Sequence, residues 1–161
     1  MKEVWVSSIL YDEYYKCNVN NNNDKIYVIM GLDAYMYSYK GKNRKEVDFS
    51  HDQKTNEEVH YWRKHPNLEQ WMSDLYFKKG GKGTYGMEGK SFNCNKVQLT
   101  KGDLLDLKYV TDKNALPMGG GFFHGDPQGA NEYYREETLE AIDRALEAIK
   151  SKRKVYYTSW W

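Results

Sequence analysis

An α+β domain, with an antiparallel sheet packed against two or three helices, is the fold class the sequence predicts. Three observations carry it. Short stretches with strand-like alternation outnumber stretches at helical spacing. The helical stretches are few but well marked, above all over residues 136–150. The connections are short, which favours antiparallel pairing over the long crossovers that parallel strands require.

The elements follow in order. Residues 3–10 read as a short strand, with Val4, Val6 and Ile9 as β-formers. The asparagine-rich run 18–24 breaks any regular element and predicts a loop or hairpin turn. Residues 25–39 form the longest strand-like stretch: Ile26, Val28 and Met30 alternate first, then Tyr35, Tyr37 and Tyr39. Gly31, between the two halves, predicts a bulge or a close backbone approach. The polar run 41–57 predicts a mobile surface loop, and 58–62 a short strand. Pro66 suits the first turn of a helix on which Leu68, Trp71, Met72 and Leu75 recur at helical spacing. The glycine-rich stretch 80–89 ends that helix in a flexible loop.

Residues 96–99 are a brief strand. Thr100 caps the next helix, and Asp103 completes a capping box with Asp in place of Glu. Leu104, Leu105, Leu107 and Tyr109 continue it, and 116–127 is a glycine-rich loop. Residues 136–150 make the most regular helix, with Leu139, Ile142, Leu146 and Ile149 on one face. Residues 155–161 read as a terminal strand with an exposed edge.

A chain of 161 residues fits a single domain with a core of its own, without help from metal or disulfide. The 15 Tyr, 5 Trp and 5 Phe exclude global disorder, which would deplete these residues. The 24 Lys+Arg nearly cancel the 23 Asp+Glu, so the basic excess of a dedicated binder of long nucleic acid is missing. Cys17 and Cys94 lack metal-site spacing and read as free thiols, which fits a reducing compartment. No apolar leader and no run near the roughly 18 apolar residues of a membrane span is present. The expected location is the cytoplasm, with no membrane partner.

Candidate chemistry is sparse. Gly119-Gly120-Gly121 can turn the chain or cradle a phosphate, but it lacks the Lys-Ser/Thr ending of a P-loop. His124 and Asp126 read either as an acid-base pair or as ordinary loop residues held by hydrogen bonds. Tyr61-Trp62-Arg63-Lys64 combines two aromatics with two cations. Arg63 and Lys64 suit phosphates while Tyr61 or Trp62 stacks a base; alternatively, both rings are core and the cations are solvated. No nucleophile stands in an activating context, and no metal or cofactor motif is found, so the chain reads as a non-enzyme.

Four segments together resemble a widespread family of small phage and prophage proteins of obscure function. They are Met30-Gly31-Leu32-Asp33-Ala34-Tyr35-Met36-Tyr37, Glu58-Val59-His60-Tyr61-Trp62-Arg63-Lys64, Leu116-Pro117 with Gly121-Phe122-Phe123-His124-Gly125, and Tyr133-Tyr134. The resemblance covers residues 30–161 and leaves 1–29 as an added strand and turn. Where that family usually has a large residue this chain has Ala34, and the glycine-rich insert 80–89 is unlike it.

The resemblance and the composition together imply a phage-encoded, non-catalytic protein that sequesters a nucleotide-type immune signal of a bacterial defence system. A cyclic nucleotide or an ADP-ribose derivative is the expected ligand. Tyr35, Tyr61, Trp62, Arg63, Lys64, Phe122, Phe123, His124 and Tyr133 are the expected ligand-binding residues. A homo-oligomer paired through the terminal strand fits this reading. Two alternatives stand beside it: an inhibitor that caps a host enzyme through an aromatic patch, and an enzyme that degrades the signal using His124 and Asp126.

Overall fold

A computed structural model of the chain describes residues 31–86 and 89–161. The N-terminal strand and turn expected within residues 1–29 lie outside the described residues. In chain order the strands are β1 (Asp33–Tyr39), β2 (Glu57–Arg63), β3 (Thr84–Gly86), β4 (Gly89–Ser91), β5 (Lys96–Leu99) and β6 (Lys154–Trp160). The helices are α1 (Pro66–Lys78), α2 (Lys101–Asp112), the single turn α3 (Ala130–Tyr133) and α4 (Arg135–Lys150). The main sheet runs β2-β1-β6-β5 with every neighbour antiparallel, and β3-β4 is a separate hairpin. The fold class is α+β, as expected.

The pleat of β1 decides the layers, because successive side chains point to opposite faces. Ala34 and Met36 join Trp62, Val97, Leu99, Val155 and Tyr157 on the face covered by α1, α2 and α4. From the helices come Leu68, Met72, Leu104, Leu107, Ala141, Ile142 and Ala145, all buried. Tyr37 and Tyr39 point the other way and pack with Phe49 and Tyr156 in a second, smaller cluster. Local signals set the helix ends. Pro66 opens α1, with His65 as its cap accepting from Leu68 N. Thr100 and Asp103 form the expected capping box at α2.

Several expectations are corrected. Of the strand predicted over 25–39, residues 25–30 lie outside the described residues, and β1 begins at Asp33 with Gly31 just outside it. The bulge falls instead between Met36 and Tyr37 in the pairing with β2, where Val59 is the extra residue. The predicted loop 41–57 is pinned, not loose: Phe49 is buried, and Val47 bridges Val97 along the open side of β5. The glycine-rich stretch 80–89 contributes the β3-β4 hairpin. On α4 the fully buried residues are Thr138, Ala141, Ile142 and Ala145, so the expected Ile142 is joined inside by three small residues, with Leu146 and Ile149 packed partly buried beside them. Close approach of α4 to the sheet selects small side chains there.

The terminal strand is also not an edge. β6 lies between β1 and β5, with Val155 to Ser159 buried, so it cannot supply edge pairing for an oligomer. Cys17 lies outside the described residues, whereas Cys94 is disulfide-bonded. The reducing-compartment argument therefore loses its footing at Cys94. No helix among the described residues is long and apolar enough to cross a membrane.

An ionisable side chain, Glu69, sits buried within the main core. The Glu69 carboxylate accepts from Tyr157 Oη at 2.8 Å and from Ser159 Oγ at 2.9 Å. Burial pushes Glu69 up to about 7, against the lowering effect of those two bonds. A carboxyl raised in the folded state contributes stability that is full below its unfolded value and is lost as pH rises through the folded one. His65 works in the opposite sense, since burial lowers it to about 3 and stability at that site grows with pH. The difference between wild type and Glu69→Gln isolates the carboxyl. Urea melts between pH 4.5 and 7 should show the variant gaining roughly 3 kcal/mol relative to wild type, at about 1.4 kcal/mol per pH unit. Parallel pH curves for the two proteins would rule this out.

Candidate functional site

The expected ligand-binding residues gather largely at one end of the sheet, where β1 starts, β2 ends and the glycine-rich loop crosses. Two backbone bonds tie these parts together. Leu32 N donates to Phe123 O at 2.9 Å, and Lys64 N donates to Leu32 O at 2.9 Å. Tyr134 Oη adds a third tie by donating to Arg63 O at 2.8 Å.

Period-two alternation sorts the aromatic-cationic run. Tyr61 and Arg63 face away from the helices, whereas Trp62 points into the core at 1% exposure. The Trp62 indole Nε1 donates to Thr138 Oγ1 at 3.2 Å. It is therefore a core residue, closed to any ligand. Arg63 lies beside Asp33, with Nη1 2.8 and 3.0 Å from the two carboxylate oxygens. The Tyr61 hydroxyl donates to the same carboxylate. Asp33 is 4% exposed, while the Arg63 side chain is 40% exposed. Burial, with the Asp33 hydrogen bond second, raises Tyr61 above the ordinary phenol value. The Tyr61 contact, with Asp33 behind it, holds Arg63 firmly protonated. Tyr35 lies against Tyr61 with ring centroids 5.0 Å apart.

Lys64 turns the chain from β2 into α1 through a left-handed backbone, φ +57°. A Cβ built on Gly31 would lie 3.2 Å from Arg63 Nη2 and 3.3 Å from Lys64 Cε. A side chain at Gly31 would crowd both cationic side chains, which would have to give by a few tenths of an ångström. Lys64 is exposed and has no carboxylate partner among the described residues. Phe122 and Tyr133 stand out into solvent at 86% and 79% exposure, each edge-on to a neighbour, Phe123 or Tyr134.

His124 and Asp126 are absorbed by their own loop. His124 Nδ1 donates to Gly120 O at 2.7 Å, and its ring meets Trp161 edge-on at 4.5 Å. Asp126 Oδ1 accepts from Gln128 N at 2.9 Å, and no hydrogen bond joins the two. The triple glycine is shaped by packing. A Cβ on Gly119 would fall 2.0 Å from Pro66 O, and Gly119 N donates to Asn67 Oδ1 at 2.9 Å. The buried Asn67 amide also donates to Pro127 O at 3.1 Å and to Asn131 Oδ1 at 2.9 Å. Among the described residues, no group of three His, Cys, Asp or Glu side chains is placed to hold a metal ion.

Sequence reasoning did not single out Asp33 or Asn67, and it marked Gly31 only as a bulge or a close backbone approach. Asp33 stands 30 residues from its partner Arg63, so only the β1-β2 register reveals the pair. The Pro-Asn start of α1 and the triple glycine were each visible, but nothing local links Asn67 to Gly119.

Two substitutions test this geometry. Gly119→Ala forces a methyl into the Pro66 carbonyl and should destabilise the fold by about 1–3 kcal/mol in chemical denaturation. Arg63→Ala leaves the buried Asp33 with Tyr61 alone and should cost about 1–3 kcal/mol, much of it restored by adding Asp33→Asn. A double variant no better than the single would mean the ion pair is not what Arg63 contributes to stability.

No protein-family model, no curated protein and no solved structure matches the chain.

Proposed function

We propose that this chain is a phage-encoded, non-catalytic binding protein that sequesters a nucleotide-type immune signal of a bacterial defence system. The observation that supports it is the convergence of Arg63 and Lys64 over Gly31. Arg63 is already paired with Asp33, so a phosphate bound here would meet the uncompensated Lys64 charge and the Arg63 Nη2 donor that faces Gly31. Arg63 Nη2 lies on the Gly31 side while Nη1 is held by Asp33, so the guanidinium is oriented in advance. Phe122 and Tyr133 offer solvent-facing rings on the loop and helix turn attached to this same corner, suited to stacking a base. The phage origin rests on the four-segment resemblance.

A second reading has one observation in its favour. Met118, Phe122 and Tyr133 are all exposed on the segment that Asn67 and Asn131 staple down. An apolar patch of this kind also suits a protein partner.

Thermal unfolding against cyclic nucleotides, linear nucleotides and ADP-ribose derivatives tests the lead reading. A ligand at about 100 times its dissociation constant stabilises the native state by roughly 2.7 kcal/mol, and the compound should be recovered unaltered after denaturation. Lys64→Ala, an exposed position, should leave the unliganded midpoint within about 0.5 kcal/mol of wild type and lose most of the ligand-induced shift. A compound recovered in altered form would point to an enzyme; no shift across the panel would refute the nucleotide reading.

A further inference from the structure

We infer that the corner formed by Gly31, Arg63 and Lys64 selects a phosphodiester monoanion, of the cyclic-nucleotide kind, over phosphate monoesters and pyrophosphates. The inference rests on the proposed nucleotide site and narrows its ligand by charge.

The charge count comes first. The Asp33 carboxylate touches Arg63 Nη1 through both oxygens, at 2.8 and 3.0 Å, and so cancels the guanidinium charge. Asp33 cannot swing away to release it. Its side chain is only 4% exposed, and the Tyr61 hydroxyl pins it from a second direction. Lys64 is then the one uncompensated cation of the corner among the described residues, which leaves a local formal charge of +1. The acidic side chains nearest in the chain to the crossing loop and to Tyr133 are Asp126 and Glu132. Neither takes part in an ion pair among the described residues.

The donor geometry points the same way. A phosphate monoester is held best by the full two-nitrogen fork of an arginine. Here one arm, Nη1, is committed to Asp33, and Nη2 faces Gly31 beside the Lys64 stem. Toward Gly31 this presents Nη2 and the Lys64 stem with its ammonium group, a donor for each of the two unesterified oxygens of a diester. A monoester carries about −1.5 to −2 at neutral pH, so its second charge would face Asp33 without a cation to match it.

Isothermal titration of the full chain at neutral pH and low salt tests this. The probes are the 3′,5′-cyclic monophosphates of the common nucleosides, the matching 5′-monophosphates, and ADP-ribose. Within each pair the base and sugar are shared and the charge differs. The cyclic form should bind on the order of tenfold tighter, as expected for one unmatched charge near a partly exposed site. Asp33→Asn keeps an oxygen for Arg63 and Tyr61 while deleting the competing charge, and should erase or reverse that preference. A 5′-monophosphate or ADP-ribose binding as tightly as the cyclic form in the wild type overturns the charge selection and leaves the nucleotide reading standing. An unchanged preference in folded Asp33→Asn also overturns it, and binding of none of these compounds overturns both. Should the variant fail to fold, the wild-type comparison decides alone.

Discussion

Among the described residues, two of the three ladders in the main sheet run through β6. Seven of its residues pair with β1 and four pair with β5, so the sheet closes only when the end of the chain is inserted between strands formed far earlier. The same strand carries Tyr157 into the helical core and Tyr156 into the opposite aromatic cluster. Both faces of the molecule are therefore organised around one central strand. Contacts of such long sequence separation are made late and favour slow, cooperative folding. They also explain why β6 is so thoroughly buried: it has no edge to leave open.

Among the described residues, the two edges of the main sheet are protected in different ways. β5 is lined by residues 46–48, where Gln98 N donates to Glu46 O at 2.7 Å and Asp48 N donates to Lys96 O at 3.0 Å. β2, on the other side, carries a bulge and the charged residues Glu57, Glu58 and Arg63. A charged, irregular edge resists pairing with another chain.

The candidate site depends on this frame because its charged residues come from two paired strands. Asp33 opens β1 opposite Arg63 at the end of β2, and the register places them side by side on the face away from the helices. A buried carboxylate is tolerated there only because two donors satisfy it. The glycine-rich loop is held in place by a separate device. Asn67, at the start of α1, offers both ends of its amide to the loop, and Asn131 extends the chain of bonds to Asn114 O and Leu116 O at 3.0 Å each. The loop thus reaches the β1 corner as a shaped element, and its exposed aromatics stand on a fixed base.

Much of the local structure was legible in the sequence, since strand alternation, helical spacing and caps are encoded within a few residues of one another. The limits of β5, the Pro66 start of α1 and the Thr100-Asp103 capping box all follow from such signals. So does the presence of Tyr61, Arg63 and Lys64 in one run. What local signals cannot carry is which strand lies next to which. That Trp62 turns into the core while its neighbours turn out, that β6 is central, and that Arg63 meets Asp33 are consequences of strand order and register. Those are settled by burying the largest apolar faces together across the whole chain, a property of the assembled sheet and helices that no short segment holds.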